Sequence, residues 1–91
     1  MDKKLIESLK QNIKLYRSDI EKASSLEDKG DIQRIANIAD SLVSALESND
    51  MDLAKQKLGG FSRSVSDSYC IQPPSFKALA QDVARVKSIV I

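Results

Sequence analysis

The chain is predicted to be all-α, a small antiparallel bundle of about four helices joined by short turns, and three observations predict it. Apolar residues recur at intervals of three and four along most of the 91 residues. No run alternates with the period of two that a half-buried strand needs. The periodic runs are separated by capping and turn residues, Gly30-Asp31, Ser48-Asn49-Asp50 and Gln72-Pro73-Pro74-Ser75. The length fits a single helical domain over residues 1–91, with no room for a second independent core.

The first helix is predicted to begin after Asp2, whose carboxylate can cap the free amides of the first turn, and to run to Ser24 or Ser25. Ile6, Leu9, Ile13, Tyr16, Ile20 and Ala23 form its apolar stripe, and Glu7, Lys10, Lys14, Arg17 and Glu21 lie between them. Gly30-Asp31 reads as a stop and a start, glycine ending one helix and aspartate capping the next. The second helix then spans Ile32 to Glu47, burying Ile35, Ile38, Ala39, Leu42 and Leu46 and leaving Gln33, Asn37, Asp40, Ser44 and Glu47 as a polar, net-negative stripe.

After the turn at Ser48-Asn49-Asp50 the period resumes through Leu53, Ala54, Leu58, Phe61 and Val65. Gly59-Gly60 interrupts it. Two glycines inside a helix cost about 2 kcal/mol against alanine. A bend or break, close approach of a neighbouring helix, and a functional hinge are all consistent with that pair. The double proline ends what precedes it, and Ser75 is placed to cap a fourth helix with Phe76, Leu79, Val83, Val86 and Val90 along its apolar face.

Composition excludes several function classes. No stretch is apolar enough to cross a bilayer, and the first residues lack the apolar run of a secretory signal. A lone cysteine, Cys70, allows no internal disulfide, which fits a reducing compartment, so a soluble, cytoplasmic protein is expected. The chain has no histidine, the side chain most used for proton transfer near neutral pH and for transition metals. With Cys70 unactivated and no convergent polar cluster visible, no enzymatic activity and no cofactor are expected. Asn49-Asp50-Met51-Asp52 is similar to a calcium loop only superficially, since it lacks that motif's glycine and closing glutamate, and no phosphate-loop pattern surrounds Gly59-Gly60.

Net charge is +1 overall but unevenly spread: +1 over residues 1–30, −4 over 31–52 and +4 over 53–91. The basic residues of the last segment are scattered over two helices, which disfavours nucleic acid and suits a solvated face. A protein partner is the remaining expectation. The segment from Arg63 to Tyr69 is rich in serine, holds Arg63 and Asp67 four residues apart where they can pair across a turn, and carries a tyrosine, a residue type that with arginine often anchors interfaces.

The run Gly60-Phe61-Ser62-Arg63-Ser64-Val65-Ser66-Asp67-Ser68-Tyr69, leading into Gln72-Pro73-Pro74-Ser75-Phe76, resembles the small helical immunity proteins that bacteria carry beside polymorphic and contact-dependent growth-inhibition toxins. The resemblance covers about the last third of the chain. It implies a cytoplasmic protein that binds a delivered toxin domain, often a nuclease, and blocks its active site or an essential surface. Such proteins are frequently acidic, and here only Asp40, Ser44, Glu47, Asp50 and Asp52 can take the acidic part, with Arg63, Asp67 and Tyr69 beside them. The alternatives are a secretion chaperone or adaptor using an apolar strip around Leu5, Leu15 and Ile71, and a small nucleic-acid-binding regulator.

Overall fold

A computed structural model describes residues 2–23, 25–68 and 72–91. It confirms the all-helical architecture: α1 (Lys3–Ser18), α2 (Leu26–Glu47), α3 (Met51–Asp67) and α4 (Ser75–Val90), with no strand among the described residues. Each boundary has a local chemical cause. Asp2 caps α1 by accepting from the Lys4 amide at 3.0 Å. Asp50 caps α3 by accepting from the Leu53 amide at 3.1 Å.

Between those two helices, α2 ends in a complete Schellman motif. Asn49 adopts the left-handed conformation (φ 56°), the Asp50 amide reaches back to the Ala45 carbonyl at 2.9 Å, and the Asn49 amide reaches the Leu46 carbonyl at 3.2 Å. Asparagine tolerates this conformation better than most residues.

Four boundary expectations are corrected. The first α-helix stops at Ser18, whose hydroxyl donates to the Leu15 carbonyl at 2.6 Å, and the chain tightens into a 3-10 turn over Asp19–Lys22. Gly30-Asp31 is neither stop nor start. The second helix begins four residues earlier because Ser25 caps it, accepting from the Asp28 amide at 3.1 Å, while Glu27 and Asp28 place negative charge in the first turn, where the helix dipole favours it.

Gly59-Gly60 does not break α3, and neither glycine has positive φ. A methyl group on Gly59 would meet nothing within 4 Å and one on Gly60 only Ile38 Cγ2 at 3.8 Å, so close helix packing does not explain the pair either. Ser75 makes no cap; Pro74 occupies that position, and the Ser75 hydroxyl instead donates to Asp19 Oδ2 at 2.7 Å.

The helices run antiparallel in the spatial order α4, α1, α2, α3. Arg17 and Lys10 of α1 meet Asp40 and Glu47 of α2 in reversed order. Ser68, which ends α3, and Gly60 within it meet Asp31 and Ile38 of α2. Ser8 and Asn12 of α1 reach Asp82 in the middle of α4, and Asp19, just after α1, reaches Ser75 at its start.

One apolar core joins all four helices through Leu9, Ile35, Leu42, Leu58 and Leu79. Tyr16 is completely buried in it, with its hydroxyl donating to Gln72 Oε1 at 2.6 Å and its ring tilted against Phe76 at 5.8 Å. Most of the predicted stripe residues are buried, while Ile20, Ala23, Ile38, Leu53, Val65, Phe76 and Val90 are only partly covered. Leu5 also joins the core, which removes it from any exposed apolar strip. Leu15 is exposed, and Ile71 lies outside the described residues.

Candidate functional site

The long second helix presents its outer face to solvent as a convex ridge. Asp40, Ser44 and Glu47 follow one another at spacings of four and three along the side of that ridge nearest α1, and all three are exposed. The two carboxylates are not free. Arg17 of α1 holds Asp40 in a short ion pair and also donates to Asn37 Oδ1 at 2.9 Å, and Lys10 donates to Glu47 at 3.1 Å. Glu47 holds the Lys10 ammonium above its ordinary pKa, chiefly by that hydrogen bond and then by charge.

Each pairing engages one side of its carboxylate. Asp40 keeps 52% and Glu47 48% of the side-chain surface open to solvent. Asp50 and Asp52 are exposed at the corner where α2 gives way to α3, Asp50 already engaged as the helix cap.

Arg63 and Asp67 are exposed but lie on the opposite flank of α2. They line a shallow depression with Glu27, Gly30, Asp31 and Arg34. Arg63 and Asp67 make no ion pair with each other, contrary to expectation; Asp31 pairs with Arg34 at 3.0 Å instead. Arginine before aspartate is the weaker order for such a pair on a helix. Tyr69, and Cys70 with it, lies outside the described residues. The two halves of the expected surface therefore do not form one flat patch; they flank the α2 ridge on its two sides.

A polar cluster that the sequence did not suggest lies between α1 and α4, correcting the expectation that none would converge. Asp82 is 2% exposed, and its Oδ2 accepts from Ser8 Oγ and from Asn12 Nδ2, each at 2.6 Å. Its Oδ1 accepts from Arg85 at 3.2 Å. The one available signal was Asp82 sitting between Leu79, Val83 and Val86 on the apolar side of its helix, with Arg85 three residues on.

Among the described residues no buried side-chain nitrogen or oxygen lacks a partner, and no group of histidine, cysteine, aspartate and glutamate could hold a metal ion. The carboxylate of Asp82 is thus fully engaged by neighbours that fix it, which is the arrangement of a structural tie. No described helix is long and apolar enough to cross a membrane. Compared with protein-family models, curated proteins and solved structures, the chain matches none.

Proposed function

We propose that the chain is a non-catalytic protein-binding module and, as the finer reading, an immunity protein that neutralises a cognate bacterial toxin domain. The observation that carries the proposal is the exposed, carboxylate-bearing ridge of α2. A convex helix edge complements a concave cleft, and a nuclease cleft that binds phosphates is basic, so Asp40 and Glu47 would meet opposite charge on their solvent side while Lys10 and Arg17 hold them in place from behind. Such charge complementarity speeds encounter and sets orientation more than it adds affinity. Ser44 lies exposed between the two carboxylates.

The pairing with α1 dictates how this is tested. Reversing Asp40 or Glu47 to lysine would set like charges against Arg17 and Lys10 and disturb the bundle itself, so neutralisation is the cleaner change. A bacterial toxin domain found to bind this chain is titrated with Asp40→Asn/Glu47→Gln, with Ser44→Arg, and with Arg17→Gln/Lys10→Gln. The first two variants are expected to weaken binding about tenfold or more, the carboxylate pair mainly through a slower association rate that is less sensitive to salt. The third leaves the carboxylates in place and retains most of the affinity. Unchanged affinity in both of the first two, with helical circular dichroism intact, would remove α2 from the interface.

A further inference from the structure

The bundle is closed on three sides and open on the fourth: α4 packs along α1 and only lightly on α3. Between α3 and α4 runs a groove of about 400 Å3. Its floor is Leu58, Phe61, Val65, Phe76 and Val83, with the rings of Phe61 and Phe76 parallel at 6.4 Å. Val65 and Phe76 are only half-buried, so the floor is incompletely covered.

Small residues, Ser62 and Ser66 on α3 and Ala80 and Ala84 on α4, line the two walls and would let another backbone come close. Helical spacing continues each wall into a lysine. Lys77 and Lys87 stand at three-residue steps beyond Ala80 and Ala84, and Lys55 lies seven residues before Ser62. Among the described residues no ion pair engages Lys77 or Lys87, nor Lys55, although Asp52 lies one turn before Lys55. The only carboxylate side chain on α4 is Asp82, buried on the opposite flank against α1.

We infer that this groove is a docking site for an amphipathic helix of a partner protein whose apolar face fills the groove and whose polar flanks are acidic. An apolar trough with close-approach walls fits the helix-in-groove mode, read through anchors at i, i+3, i+4 and i+7. Lys87 in the groove wall and Lys77 further along the same α4 rim, on a helix whose one carboxylate side chain faces away, select the sign of the flanks. The inference concerns a different face from the α2 ridge and does not rest on the toxin reading.

The test measures binding of the full chain to three fluorescent peptides of the length of α4, 16 residues. One has leucine and phenylalanine at helical spacing with glutamate flanks, one has the same apolar face with lysine flanks, and one has the glutamate peptide's composition with its apolar residues dispersed. The glutamate-flanked peptide is expected to bind and the other two to bind at least tenfold more weakly. Lys77→Glu/Lys87→Glu should cost the glutamate-flanked peptide at least tenfold, and Ala84→Tyr, which fills the groove without changing charge, should remove binding; circular dichroism confirms that both variants stay folded.

Failure of the glutamate-flanked peptide to bind, equal binding of all three peptides, or indifference to both variants overturns the inference. So does sedimentation of the chain alone as a dimer that Ala84→Tyr dissociates, which would assign the groove to a second copy. Adsorption to phosphatidylglycerol vesicles through Lys77 and Lys87, without peptide binding, would assign it to a lipid surface and overturn it equally.

Discussion

Replacing Asp82 with alanine is the most informative single change to this bundle. The carboxylate accepts two interhelical hydrogen bonds of 2.6 Å, from Ser8 and Asn12, both on one oxygen. The net contribution of a hydrogen bond to an ionised group is about 1.5–3 kcal/mol, so the two together set an upper bound of about 3–6 kcal/mol. The pair with Arg85 adds little, because the arginine side chain is 67% exposed and screened by water.

Two bonds that share one acceptor oxygen are not additive, and alanine leaves no buried charge behind, so the loss falls towards the lower end of that range. Ser8 and Asn12 are half-buried and regain part of their hydration. Asp82→Ala is therefore expected to destabilise by about 2–3 kcal/mol. Ser8→Ala/Asn12→Leu/Asp82→Leu removes donors and acceptor together and is expected to return to within about 1 kcal/mol of the original stability, or to exceed it, since well-packed apolar replacements of buried polar groups often do.

Urea denaturation followed by circular dichroism measures both, with the midpoint and slope reported separately. A single variant within about 0.5 kcal/mol of the parent, or a triple variant less stable than the single one, would show that the cluster does not tie α4 to α1 as described.

Two further outcomes follow from the same geometry. Gly59→Ala/Gly60→Ala should stabilise by about 1–2 kcal/mol, since both glycines are helical with room for a methyl group, and the melting temperature should rise by several degrees; a loss of stability would mean that the pair serves strain or close contact after all. The hydrogen bond from Ser75, and then that from Lys22, hold the Asp19 carboxyl below its ordinary pKa. A lowered folded-state pKa contributes stability that is present above the unfolded value, about 4, and lost as pH falls through the folded value. Ser75→Ala should therefore make unfolding less pH-dependent below about pH 4, and urea midpoints measured across that window that parallel the parent's would refute the assignment.

Much of the fold is local and was therefore legible. The stripes of α1 and α4 are written in consecutive residues, and the turn at Ser48-Asn49-Asp50 carries its own left-handed residue and its own cap. Where two local signals competed, the wrong one was easy to choose. Gly30-Asp31 resembles a boundary, yet Ser25 three residues before Asp28 is an equally good start, and a helix absorbs one interior glycine at about 1 kcal/mol when Ile32 and Ile35 behind it are buried.

The surface was legible only as exposed or buried. That Asp40 and Glu47 are partnered depends on Arg17 and Lys10 lying on another helix, and that Asp82 is buried depends on Ser8 and Asn12, more than sixty residues away. A single sequence contains no register between helices, so neither could be read from spacing. Leu5 was misread for the same reason: α1 is covered on two flanks, by α2 and by α4, and one stripe accounts for only part of its buried arc.

The tie between α1 and α4 also sets an order of events during synthesis. Ser8 and Asn12 emerge from the ribosome early, but the acceptor that satisfies them is made some seventy residues later. Until then the first helix has one flank without its partner, and the nascent chain can assemble only the α1–α2–α3 portion of the core. Completion must wait for the fourth helix, and until it docks the α4-facing side of α1 is the surface a chaperone acting on this nascent chain would find uncovered.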